Sequence, residues 1–320
     1  MVDYKIILGI NELSRYMLSR LFSSKSKKTS VTVGVSVCAS ELHIVAIERS
    51  GDAVSLNSVS SIPYDQHQPL KQQLSAALSP FAKSTCNVSI VLSQHMYHMV
   101  QVDKPEMAEE DITTALPWTL GELVPYDSSN MVLDYVDYPV KSRSGGQKIN
   151  VFAAERSSLA AVAASMAKKK DKQLTHIHTK EVLATEMVPN DDYARLLIIQ
   201  EPNSEPFLMI VRSQAIWLAR RLRGFVSKVN EQTDLSQLSD TLGLEIQRSM
   251  DFYESQLKQP PLKEILFKTQ FDCVPVIERL KPFQPAAMNV FTPQLNLADV
   301  VEPACHFALA SALVAAREVA

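Results

Sequence analysis

The chain is poor in glycine. Its 320 residues include 8 glycines against 17 prolines, where average composition gives about 22 glycines. Loops that cradle phosphate depend on glycine, because backbone N–H groups reach the anion through turns with positive φ. The glycines stand at Gly9, Gly34, Gly51, Gly121, Gly145, Gly146, Gly224 and Gly243. Neither a GxGxxG dinucleotide loop nor a GxxxxGK[ST] phosphate loop can be assembled from them. Cysteine is also scarce. Cys38, Cys86, Cys273 and Cys305 are far apart and form no CxxC pair, which suits buried free thiols in a reducing compartment better than a disulfide framework. No apolar run approaches the roughly 20 residues that span a bilayer. Neither sign of charge dominates: a net charge of −3 gives no electrostatic case for nucleic acid.

What remains is an ordinary globular composition, 46% apolar and 21% charged, long enough for about two domains. Residues 1–29 stand apart as a leader. Ile10, Leu13, Met17, Leu18, Leu21 and Phe22 precede a basic cluster at 23–28, the reverse of a secretory signal. The leader reads either as a flexible segment, with Met17 as a start, or as an amphipathic stretch touching an anionic membrane surface.

Strand signals then follow at 31–37, 42–47 and 53–59, with short polar junctions between them. Leu70, Leu74, Ala77, Leu78 and Phe81 lie on one helical face, and a fourth strand covers 87–92. A second block holds a strand at 97–102, an acidic helix over 107–123 interrupted by Pro117, strands at 131–140 and 149–154, and an Ala-rich helix over 157–170. The later part echoes the opening: strands at 194–200, 207–211 and 215–222, a long helix at 238–257, a strand at 262–268, a Pro-spaced stretch and a closing helix over 303–319. Repetition of strands followed by a helix predicts two related α/β lobes facing a cleft.

Several segments carry a family resemblance. Val33-Gly34-Val35, a tight turn and Leu42-His43-Ile44-Val45 resemble the first phosphate loop of the actin/FtsA/sugar-kinase superfamily. Val124-Pro125-Tyr126 with Leu133-Asp134-Tyr135 is similar to the "IPF…LDY" segment of PilM-like proteins, which assemble type IV pili. Val151-Phe152-Ala153-Ala154-Glu155 resembles their strand-then-Ala signature. Residues 244–253, LEIQRSMDFY, are close to their "EIQRSLDYY" helix and form the most specific match. The resemblance runs in order from about residue 31 to the C-terminus. Within the family it is most like the mannose-sensitive haemagglutinin (MSHA) pilus branch.

The resemblance implies an actin-like (ribonuclease H-like) α/β fold of two lobes with an inserted small α+β subdomain. The first lobe would comprise 30–87 and 173–192, the insert 88–172, and the second lobe 193–320. PilM-like proteins are cytoplasmic, bind ATP, and hold the N-terminal cytoplasmic tail of a bitopic inner-membrane PilN-like protein, here an MshJ-like one. Such a chain would be associated with the inner membrane through partners, with a pilus assembly ATPase as a further candidate. The family's first loop reads Gly-x-Asp-x-Gly, whereas this chain has Gly34-Val35-Ser36-Val37-Cys38. Where the second and third loops are expected stand Gln200-Glu201 and Lys268-Thr269, without glycine. Loss of the carboxylate removes an anchor for Mg²⁺. The expectation is a pseudo-ATPase scaffold, with no cofactor and no catalytic or metal-binding residues. The alternatives are an active actin-like ATPase and a GspL-like secretion adaptor, the latter disfavoured by the absence of a transmembrane segment before Ala320.

Candidate sites follow from this frame. Glu245 and Arg248 match cleft-facing family positions and read either as residual nucleotide contacts or as an i,i+3 helix pair. Tail contacts are expected from Met96, Tyr97, Met99, Val100, Trp118, Leu120, Val124 and Pro125, with Trp118 either an aromatic anchor or a core residue. Asp134 reads as a structural turn residue. His95 with His98, and His176 with His178, lack the additional ligands a metal needs. Ser36 lacks the Gly-x-Ser-x-Gly setting of a nucleophile. Arg220, Arg221 and Arg223 form a basic cluster, read as a solvated face or a contact with anionic lipid.

Overall fold

A computed structural model describes residues 30–82, 84–141, 145–167, 171–225, 235–269 and 271–318. The leader and the lysines at 168–170 lie outside the described residues. The chain divides into two compact units. The first holds Met1–Asp137, Gly145–Leu183 and Leu295–Ala320, and the second Tyr138–Ser144 and Ala184–Gln294.

The first unit is built on a five-stranded sheet. Ser30–Val37 (β1), Glu41–Ser50 (β2) and Ala53–Pro63 (β3) form an antiparallel meander, and Cys86–Val91 (β4) adds parallel to β1. Tyr97–Asp103 (β5), Met131–Asp137 (β6) and Lys148–Glu155 (β7) form a separate antiparallel sheet in the order β5-β7-β6, and Lys172–His178 (β8) completes the first sheet as β3-β2-β1-β4-β8. Its helices are Leu70–Ala77 (α1), Glu109–Leu120 (α2), Arg156–Ala167 (α3) and His306–Glu318, while Lys180–Thr185 (α4) crosses the boundary between the units.

The second unit repeats the plan. Arg195–Ile199 (β9), Phe207–Arg212 (β10) and Ala215–Arg221 (β11) form the meander, and Glu264–Lys268 (β12) and Ala287–Val290 (β13) add in parallel, giving β11-β10-β9-β12-β13. Leu235–Asp251 (α5) lays Leu238, Leu242, Ile246 and Met250 into the core of this unit and runs into a π-helical turn over Phe252–Gln256. Val274–Leu280 (α6) supplies Val276, Ile277 and Leu280 to the same core; the helix His306–Glu318 is therefore α7.

Two boundaries and one helix differ from expectation. The span 193–320 is not one lobe, because α7 packs on β1, β2 and β4 of the first unit. A Cβ at Gly34 would lie 1.9 Å from the Ala308 carbonyl oxygen and 2.9 Å from the Ala312 nitrogen. Ser311 donates a 2.6 Å hydrogen bond to Ser89 Oγ, and Arg49 caps Ala316 O at 2.7 Å. The insert is also shorter than 88–172: β4 and β8 are strands of the first sheet, and α3 packs on β8 and α1. Pro117, expected to interrupt its helix, lies within α2.

Candidate functional site

The three-stranded sheet has two different faces. Ile149, Val151 and Ala153 of β7 meet Ile112, Leu116 and Leu120 of α2 in a small core. The period-two alternation of a strand turns Phe152 and Ala154 the other way. There, with Tyr97, Val132 and Asp134, they line a narrow slit against Leu92 after β4, Leu159 of α3 and Thr179 after β8. The slit is nearly filled by its own buried side chains: its free volume is about 10 Å³, hardly room for one water. Its walls are mostly apolar, and the Tyr97 and Phe152 rings lie 6.3 Å apart. Thr179 Oγ1 is buried without a hydrogen-bond partner among the described residues. Tyr97 is fixed by its hydroxyl, which donates to the buried Glu181 carboxylate and accepts the Lys180 N–H at 3.2 Å. The arrangement is a tight apolar seam with few polar groups along it.

Among the expected tail contacts, Tyr97 lines this slit. Met96, Met99 and Val100 are half-buried beside it in sequence. Leu120 and Val124 do not serve as surface contacts; they belong to the subdomain core. Trp118 is 80% exposed, which removes its core reading, and neither it nor the exposed Pro125 lines the slit. Sequence reasoning missed Val132, Phe152, Ala154, Leu159 and Thr179, and gave Asp134 only a structural role. The signal was present, since two of the resembling segments, 133–135 and 151–155, contribute slit residues.

Gly34 is a helix-contact residue in mid-strand. Ser36 and Cys38 are buried, their Oγ and Sγ 3.9 Å apart. Cys38 Sγ lies 3.7 Å from His43 Nδ1 and 4.0 Å from Lys180 Nζ. The buried Lys180 ammonium also stands 5.6 Å from the Phe307 ring centre, a cation–π distance. His43 spans Ala304 O at 2.7 Å and Glu41 at 2.9 Å. In the second unit, Gln200 and Glu201 are buried; Gln200 N–H donates to Lys268 O at 2.7 Å, and Thr269 Oγ1 donates to Phe271 O at 2.8 Å.

Glu245 and Arg248 pair across one turn at 2.8 Å, and Arg220 of β11 reaches the other Glu245 oxygen at 2.9 Å. Arg220 and Arg248 line an open hollow of about 380 Å³ beside the π-helical turn. His176 and His178 stack at 5.4 Å, and His176 contacts Glu318 at 2.7 Å. Burial, with the neighbouring His176 second, holds the His178 pKa down to about 3. Among the described residues no group of three or more His, Cys, Asp or Glu is placed to hold a metal. Also among the described residues, no helix is long and apolar enough to cross a membrane.

The paired sheets of like strand order have counterparts in solved structures. A PilM–PilN type IV pilus biogenesis complex matches at 17% identity and a TM-score of 0.63, over 91% of this chain and 99% of that one. The fold is actin-like. A Bacteroides thetaiotaomicron protein with an actin-like ATPase fold matches at 11% identity and a TM-score of 0.51, over 86% and 95% of the two chains. The cytoplasmic domain of EpsL, from the type II secretion system of Vibrio cholerae, gives 14% identity and 0.48 over 82% and 86%. No family model matches the sequence, and no curated protein matches it.

Proposed function

We propose that this actin-like chain is a scaffold of a type IV pilus assembly platform and holds a short tail of a PilN-like inner-membrane protein. The observation that carries this reading is a fold that matches a PilM–PilN complex along nearly its whole length, and the apolar seam lined by Tyr97, Val132, Phe152 and Ala154 is the place we assign to the tail. The seam is closed as it stands, so a tail with small apolar side chains enters it only as its walls part, and Thr179 Oγ1 then offers the tail a hydrogen bond. The finer assignment, to an MSHA-like platform with an MshJ-like partner and peripheral association with the inner membrane, rests on the sequence resemblance. Loss of ATP chemistry is part of the same reading: Cys38, His43 and Lys180 fill the first turn, and neither Gln200-Glu201 nor Thr269 restores a glycine loop.

Titration of the full chain with a fluorescent peptide copying the PilN-like tail tests the proposal. Ala154→Val should weaken binding at least about tenfold by wedging the seam against the tail, an effect beyond 1.4 kcal/mol. Thr179→Val should weaken it about three- to tenfold if the hydroxyl serves the peptide. Trp118→Ala should leave it unchanged. Unaltered binding in both slit variants would overturn the site. Micromolar binding of Mg·ATP would instead support the active-ATPase reading, with Glu245 and Arg248 as its first candidates.

A further inference from the structure

Among the described residues each five-stranded sheet ends on a meander strand paired on one side only, β3 in the first unit and β11 in the second. Such an edge presents a row of unpaired N–H and C=O groups, a template for another strand unless charge, proline, a bulge or a cover blocks it. β11 is blocked by charge. Arg220 and Arg221 stand at its end, and Arg223 follows two residues later. β3 lacks this defence. It is the longest described strand, at 11 residues, and its sequence AVSLNSVSSIP contains no Asp, Glu, Lys or Arg. One irregularity interrupts it: Ile47 faces Leu56 and Ala46 faces Ser58, so Asn57 is the extra residue, held to Glu48 by a 2.7 Å hydrogen bond. Beyond it, Val59, Ser60 and Ser61 are all exposed.

We infer that β3 is a pairing edge whose partner is a second copy of this chain, joined antiparallel about a two-fold axis at Ser60. In that register Ser60 faces Ser60, Val59 faces Ser61, and Ser58 faces Ile62. Uncharged side chains meet throughout, none larger than Ile62, so the strand faces its own copy without repulsion. The same operation on β11 would bring both copies' Arg220 and Arg221 onto one ladder, where they repel. The strand carries no acid, base or ring to select an unlike sequence, which favours a copy of itself over a foreign peptide. Pairing of one edge buries less than the roughly 800 Å² per partner of a standard stable interface. The dimer is therefore weak, reversible and concentration-dependent.

Sedimentation equilibrium of the full chain, from low to high micromolar concentration, tests this. A reversible monomer–dimer equilibrium is expected, and Ser60→Lys should weaken it at least tenfold by setting two ammonium groups face to face. Ser60→Cys should cross-link rapidly under mild oxidation, while Ala219→Cys on β11 should not; the native Cys38, Cys86, Cys273 and Cys305 are buried and give a low background. A monomer at every concentration, or a dimer indifferent to Ser60→Lys, would overturn the inference. So would a monomer whose β3 edge amides are already protected from hydrogen exchange, since the chain would then cover its own edge.

Discussion

The two five-stranded sheets share one strand order and are covered in opposite ways. In the first unit, α7 presses against β1 so closely that Gly34 meets the backbone of Ala308, with Ser89 bonded to Ser311. In the second, α5 stands on large side chains, with Leu196 and Ile198 of β9 meeting Leu242, Ile246 and Met250 in one core. Equal topology therefore does not require equal packing: at Gly34 one sheet leaves no room for a side chain, and the other fills its helix contact with large ones. Gly34, one of very few glycines, has a packing role that stands whatever the neighbouring turn binds.

Substitutions of opposite sense should break the two sheets separately. Gly34→Ala is expected to have the largest effect, costing more than about 3 kcal/mol, because backbone rather than a flexible side chain blocks the new Cβ. Hydrogen exchange should show β1, β4 and α7 loosening while the second sheet keeps its protection. Ile198→Ala should do the reverse, costing about 2–4 kcal/mol through the cavity it leaves, with exchange rising in β9, β12 and α5.

Acid should find the first unit before the second. A folded-state pKa of about 3 for His178, below an unfolded value near 6.5, means that unfolding takes up a proton. Its stabilising contribution is complete above about pH 6.5 and is lost as the pH falls toward 3, at no more than about 1.4 kcal/mol per pH unit. His178→Phe should keep the stacking against His176 and flatten this acid limb, as followed by unfolding at successive pH values. The smallest expected effect lies in the hairpin turns. Gly51 takes positive φ between β2 and β3, whereas the β10–β11 turn puts both Ser213 and Gln214 at positive φ. The double change Ser213→Asn with Gln214→Gly should raise second-unit stability by about 0.5–1 kcal/mol, measured by denaturant unfolding.

Much of this organisation was legible in the residues. The meanders, the core stripe of α5 and the order of elements follow from spacing, because alternation and helical periodicity are local. α6 lies in the stretch that the sequence reading describes only as Pro-spaced, although proline in the first turn marks a helix start. The allegiance of α7 was hidden, since an Ala-rich helix with apolar residues on most faces does not say which sheet it covers. Leu120 and Val124 were misplaced in a partner site, although Ile112, Leu116 and Leu120 recur at the four-residue spacing of a core stripe. The slit could not be drawn from sequence, because Val151-Phe152-Ala153-Ala154 is apolar throughout and shows no alternation to assign its faces. The family-like segments marked the right strands without saying which way their side chains point.

The central claim is that this actin-like chain works by holding a partner's tail in the slit. Hydrogen exchange of the full chain with and without the tail peptide tests it most directly. Protection is expected to rise in 131–135, 151–155 and around Thr179, with the turns at Cys38 and Gln200 unchanged. Protection at those turns and none along β6 and β7 would contradict the account.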